Sequence, residues 1–362
     1  MARPIYVPVL GTRRSTISAY ESLPGRVRSR IAPLWTVVPR VAERPRGVRP
    51  DPDPDPDPVA LDRWLTPRIE GLIGATEGRP GWIDAGHVEA QMGASAAALW
   101  RVTTRSGLRL VTGLERPPRL QRYVADLAFT SGRGLGIRVL LDGRAGEGQA
   151  GELSALVARL CLPAAGLDLI LDLGPVVDAE ESAKSALTAL DLLVTLIPWR
   201  DIVLLSGGFP RPVEGLGDHS HLHVPRLDRH VYRTVRAARP TARHMLYGDY
   251  GVEEAQAANR PRADKAGPPW GLMRYTTADT FLVARAPTRG PDRAERVRAV
   301  AHGIVHDRAF RGAGHSAGER WLFDCAHGTG SRGTGNPESW IKAGHVQHMV
   351  WVVEQRSGAT GA

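Results

Sequence analysis

Two aspartates stand inside apolar runs, Asp172 in LILDLG and Asp249 in YGDYG. A carboxylate in such a setting is costly to bury without a partner. Each must therefore meet a cation or take part in chemistry. Arg138 in GIRVLL and Arg274 in MRYTT are placed to answer them. Further polar groups fall at the ends of similar runs: Asp84, Thr112, Glu115, Asp142, Ser206 and Tyr250. Carboxylates and an arginine converging on one mouth could hold a metal with a phosphate, or supply an acid and a base. Asp172, Asp249 and His348 are the candidate catalytic groups. Arg138, Arg274, Tyr250, Asn336 and Trp340 are the candidate binding groups. The preferred expectation is plainer: an internal ion pair of Asp172 or Asp249 with Arg138 or Arg274, which closes the mouth and does no chemistry.

Other signals carry less. His219, His221 and His223 alternate and would share a face on a strand, as a zinc site could use. Their flanks, EGLGD and VPRLDRH, read as a long surface loop, so solvated histidines are expected and no metal is assigned. His345 and His348 are better placed, beside the tail motif. The glycine-rich segment 131–136 precedes a strand, and 328–336 is not followed by a clear helix. Neither has the strand, glycine turn, helix order of a dinucleotide site, and the sequence names no cofactor either way. Arg332, within the second segment, could touch an anion. Ser206-Gly-Gly lacks a nucleophile elbow. Cys161 and Cys325 are the only cysteines, too few for a disulfide framework. Cys161, in LSALVARLCL, is expected to be a buried small hydrophobe.

The elements that must position these groups follow a repeat. Eight apolar runs read as strands, at 5–10, 34–38, 82–84, 108–114, 136–141, 167–173, 201–206 and 244–250. Helical patterns separate them, among them 88–102, 151–161 and 180–196. Strand and helix alternating eight times is the sequence form of a TIM-like (β/α)8 barrel. The expected division is a barrel over 1–267 and a C-terminal α+β extension over 268–362, packed on the barrel. In the extension, MRYTTADTFLVARAP reads as two short strands and ERVRAVAHGIVHDRAFRG as a helix. The tail, 316–355, reads as a Gly-Asn-Pro turn and a strand with Val350 to Val353 apolar, folded back over the mouth. The (Asp-Pro)4 repeat at 51–58 is expected to be an extended loop in the second strand-to-helix connection.

Composition bounds the rest. The chain has 362 residues, 42% hydrophobic and 23% charged, enough for a packed core. Its formal charge is +9, nearly all arginine, because Lys184, Lys265 and Lys342 are the only lysines. The plainer explanation is a GC-rich genome that spells basic positions as arginine, and the charge raises nucleic-acid binding only modestly. No signal-peptide pattern and no run of bilayer length is present, so a cytoplasmic protein without a membrane partner is expected.

Segments along nearly the whole chain resemble the beta protein family of phages and bacteria. They are Tyr6-Val-Pro-Val-Leu10, Leu169-Ile-Leu-Asp-Leu-Gly174, Ile197-Pro-Trp-Arg200 leading into Ser206-Gly-Gly-Phe-Pro210, and Gly248-Asp-Tyr250. Arg274-Tyr-Thr276, Gly335-Asn336, Trp340 and His348 complete the set. The resemblance implies a TIM-like barrel with a C-terminal extension. It also implies a component of a phage- or prophage-associated defence or toxin-neutralising locus, acting on a partner protein encoded there. The chain departs from the family pattern at Gly11-Thr-Arg-Arg14, Thr36, Ile341 and His345-Val-Gln-His348. These departures favour binding over catalysis. The other expectation is a barrel enzyme acting on a phosphorylated or nucleic-acid substrate, with its mouth built from Arg138, Asp172, Asp249, Arg274 and His348.

Overall fold

The computed structural model describes residues 3–40, 58–141, 146–210, 216, 221–240, 244–260, 268–331 and 333–358. In chain order, β1 (Tyr6–Gly11) leads to α1 (Arg14–Glu21) and α2 (Gly25–Arg28), and β2 (Leu34–Thr36) to α3 (Pro58–Thr76). Then β3 (Pro80–Asp84) is followed by α4 (Gly86–Glu89) and α5 (Met92–Arg105), and β4 (Gly107–Gly113) by α6 (Pro118–Ser131). Next come β5 (Leu135–Leu140), α7 (Glu147–Leu160), β6 (Leu167–Pro175), α8 (Ala179–Leu193) and β7 (Ile202–Gly207). A strand outside the barrel, β8 (His221–Pro225), precedes α9 (Leu227–Ala238) and the last barrel strand, β9 (Leu246–Asp249). The eight strands β1 to β7 and β9 close in that order, all parallel. The expected eight runs are the eight barrel strands. Their near-continuous apolar character is that of strands covered on both faces.

Inside the barrel, Val7, Val9, Leu34, Trp82, Val111, Ile170, Val203, Leu205, Leu246 and Tyr250 form one cluster. On β6, Asp168, Ile170 and Asp172 point the same way at successive inward positions. Asp168 is held near the N-terminal end by Arg109, Arg200 and Trp82 Nε1, the last at 2.8 Å. Asp172 stands at the opposite, C-terminal end.

The extension adds β10 (Trp270–Thr276), β11 (Thr280–Pro287), α10 (Arg293–Val305), α11 (Ala317–His327) and α12 (Pro337–Gly358). The antiparallel pair β10 and β11 takes β8 as its third strand. The expected loop around His221 and His223 is therefore partly a strand, although both histidines remain exposed; His219 lies outside the described residues. His221 Nε2 contacts Val300 O at 3.1 Å, and His223 sits between Thr280 and Asp307.

The tail is a helix, not the expected turn and strand. Gly335 takes φ +60, which suits glycine. Asn336 then caps α12: Ser339 N donates to Asn336 Oδ1 at 3.0 Å, and Asn336 N donates to Ser339 Oγ at 2.7 Å. Pro337 follows at the first helical position, where its missing N–H costs nothing. The glycine segment 328–336 is thus followed by a helix after all. VQHMVWVV shows no helical stripe because α12 is buried on both sides. One side, with Val346, Met349, Val350 and Val353, joins Tyr6, Leu10, Val231 and Tyr247 in the barrel core. The other carries Gln347, whose amide clamps the Thr276 backbone at 2.8 Å in both directions. The strand ring is complete at β9, but its outer helical layer is completed only by α12, which lies against α1 and β1.

Two further expectations meet different outcomes. Cys161 is exposed, not buried: it ends α7 in the left-handed region at φ +52, where the chain turns away from the core. Of the Asp-Pro repeat, 51–57 lies outside the described residues, as do Asp142 and Arg332, and Pro58 opens α3.

Candidate functional site at the barrel mouth

The groups expected at one mouth divide into two buried networks and one cavity. The first network centres on Arg138. Its Nε and Nη2 donate to Asp172 Oδ2 at 2.9 and 2.6 Å, and its Nη1 donates to Asp84 Oδ2 at 2.8 Å. Tyr250 OH donates to Asp172 Oδ2 at 2.7 Å, and Gly174 N donates to Asp172 Oδ1 at 2.8 Å. Arg116 continues the chain outward, donating at 2.7 Å to both Asp84 and Glu89. Burial opposes the charge on Asp84, but Arg116 and Arg138 outweigh it and hold the carboxyl down at about 2. Glu89 goes the other way: burial pushes it up to about 7 against the pull of Arg116. The charge count explains the difference. Asp84, Glu89, Glu115 and Asp172 share only Arg116 and Arg138, so the acids are in excess. Glu89, whose Oε1 has no partner, keeps the proton most readily.

That assignment sets a pH dependence. A carboxyl raised from 4.5 to about 7 contributes stability that is full below 4.5 and lost as pH rises through 7. Glu89→Gln should remove this slope and stabilise the protein at pH 8 relative to the wild type by about 1–3 kcal/mol. Urea unfolding of both proteins at pH 5 and pH 8 measures the difference. Parallel pH profiles would mean that Glu89 is ionised throughout.

The second network surrounds Asp249, and it lies on the outer face of β9. Residues alternate across a strand. Tyr250 points into the barrel, so Asp249 and Tyr247 point out, beneath α12. Asp249 Oδ1 accepts from Tyr6 OH at 2.5 Å and from Gly251 N at 2.9 Å. Its Oδ2 accepts from Tyr247 OH at 2.8 Å and His348 Nε2 at 3.0 Å, with Arg226 at 3.8 Å. His348 Nδ1 meets Thr276 Oγ1 at 2.8 Å. Burial would raise Asp249, yet His348 and Arg226 hold it below the usual carboxylate range. The expected partners Arg138 and Arg274 are not the ones Asp249 has. Arg226 and its pair Asp228, at 3.1 Å, were not among the expected site groups.

Arg274 lines a cavity of about 380 Å³ over the C-terminal end of the barrel. Phe209 and Leu216, from the segment after β7, form one side, and Glu253 and Arg260, after β9, another. Trp270, Leu272 and Arg285 of the extension sheet close it. Trp340 and Asn336 do not reach it. Trp340 packs in the extension core with Met273 and Tyr275, its Nε1 donating to Thr334 O at 2.9 Å, and Asn336 is the exposed cap of α12. His345 stands behind the cavity wall, with Nε2 3.0 Å from Glu253 Oε2. Burial would raise Glu253, but His345 and Arg13 hold it at about 2. Among the described residues no cluster of three or more histidines, cysteines or carboxylates could hold a metal, and no helix is long and apolar enough to cross a membrane.

A search of curated proteins finds no match. A family model described as Beta protein matches residues 6–354, which takes in every barrel strand, the extension sheet and most of α12. With nearly the whole fold inside that match, the chain belongs to the beta protein family.

Proposed function

We infer that the chain works by binding, as a non-catalytic component of a phage- or prophage-associated defence or toxin-neutralising locus, and that its partner is a protein encoded there. One observation carries this reading. Asp172, Asp249 and His348 are each buried to within 1% of full burial, and every one of their side-chain oxygens and nitrogens already faces a protein group. A general acid or base must reach its substrate's proton within hydrogen-bond distance, and these groups have no direction left in which to do so. Each group satisfies a buried partner that would otherwise stand as an uncompensated charge, a use that needs no substrate. The barrel favours an enzyme only by analogy of fold, a weak argument because one fold hosts many functions.

The reading is tested with Asp172→Asn and His348→Gln, which keep shape and most hydrogen bonds. Each is expressed with the product of the neighbouring gene. Variants that still melt cooperatively should co-purify with that product and protect cells from it as the wild type does. A folded variant that binds the product but has lost protection would overturn the reading in favour of catalysis.

A further inference from the structure

The acids of the mouth cavity are already matched, but its central arginine is not. Glu254 is gripped by both terminal nitrogens of Arg260, each at 2.6 Å. Glu253 is held by His345 at 3.0 Å and Arg13 at 3.5 Å. Arg274 donates one hydrogen bond, from Nη1 to Leu272 O at 3.1 Å, and its buried Nε has no partner. Its guanidinium lies 5.2 Å from the centre of the Phe209 ring. Burial presses it toward the neutral form, and Glu253 is the one charge opposing this. A half-buried guanidinium with idle donors is an incomplete arrangement, since desolvated donors cost free energy until something accepts from them. Its planar fork matches the oxygens of a carboxylate or a phosphate.

The surroundings describe the rest of a ligand. Phe209, Leu216, Leu272 and Trp270 give the cavity apolar and aromatic walls, and Arg285 stacks at 4.3 Å on Trp270. A volume of about 380 Å³ lies at the small end of ligand sites. The cavity also borders the segments after β7 and β9, the seventh and eighth barrel strands, where barrels of this architecture often seat a phosphate.

We propose that this cavity is a binding site for a small aromatic anion, with its phosphate or carboxylate on Arg274 and its flat ring against Phe209, Leu272 and Trp270. The site is separate from the protein partner inferred above and stands or falls without it. Isothermal titration calorimetry on the full chain, with phenyl phosphate, benzoate and inorganic phosphate, tests it. One of the two ring-bearing anions should bind saturably, at least tenfold tighter than inorganic phosphate. Tighter phenyl phosphate assigns the head group as phosphate, and tighter benzoate assigns it as carboxylate. Arg274→Gln should weaken that binding at least tenfold while melting as the wild type does. Should Arg274→Gln fail to fold, Trp270→Leu is read instead, and it should abolish the preference for ring-bearing anions. The proposal is overturned if no probe binds in the millimolar range, if inorganic phosphate binds as tightly as both ring-bearing anions, or if the folded variant binds as the wild type does.

Discussion

Asp172→Ala should destabilise the protein by about 3–5 kcal/mol, a large part of the 5–15 kcal/mol typical of a folded domain. The reason is what it leaves behind. Arg138 has a side chain only 11% exposed and donates two of its hydrogen bonds to Asp172 Oδ2. Without that carboxylate, a buried cation keeps Asp84 alone, and Asp84 is already shared with Arg116. Tyr250 OH and Gly174 N lose their acceptor as well. Asp172→Asn should be milder, since its oxygen still accepts. The double change Arg138→Met with Asp172→Leu should recover much of the loss, because replacing both members of a buried pair with apolar groups is often neutral. Urea titration of the three variants gives the comparison. An Asp172→Ala midpoint within error of the wild type would mean that water reaches Arg138 and that the mouth is open to substrate.

The barrel was legible because each strand is a short apolar run and each turn of the repeat ends in a polar group. The pairing of Arg138 with Asp172 was legible too: β5 and β6 are neighbours, and Asp172 was an acid in an apolar run with a cation near. Asp249 was misplaced although a signal existed. Tyr250 sits one residue on, so one of the two must face out of the barrel. The glutamate with the raised pKa, Glu89, was invisible in sequence, since its state depends on Arg116, 27 residues away, being shared among several acids. The cavity was equally hidden. Phe209, Glu253 and Trp270 come from separate segments, and no local pattern links them. The tail misled for a physical reason. Periodicity reports one buried face, and α12 has two.

That double burial makes α12 the element whose loss should matter most. Deleting residues 336–362 should leave a chain that does not fold on its own. The deletion removes Trp340, Val346, Met349, Val350, Val352 and Val353, each at most 5% exposed. At about 1.5–3 kcal/mol per fully buried side chain, these six amount to roughly 9–18 kcal/mol, an upper bound that matches or exceeds the whole stability of a typical domain. The deletion also strips His348 from Asp249, uncovers that carboxylate with Tyr6 and Tyr247, and frees the Thr276 backbone. A tail that merely covered the mouth would behave differently, since its removal would leave a cooperative barrel with an open top. Circular dichroism melts of the truncated chain separate the two cases. A peptide spanning 336–358, added in trans, should restore the cooperative melt, because it supplies the missing outer helix against α1 and β1. A truncated chain that melts cooperatively near the wild-type temperature would show that the barrel is self-sufficient and that α12 is an appendage.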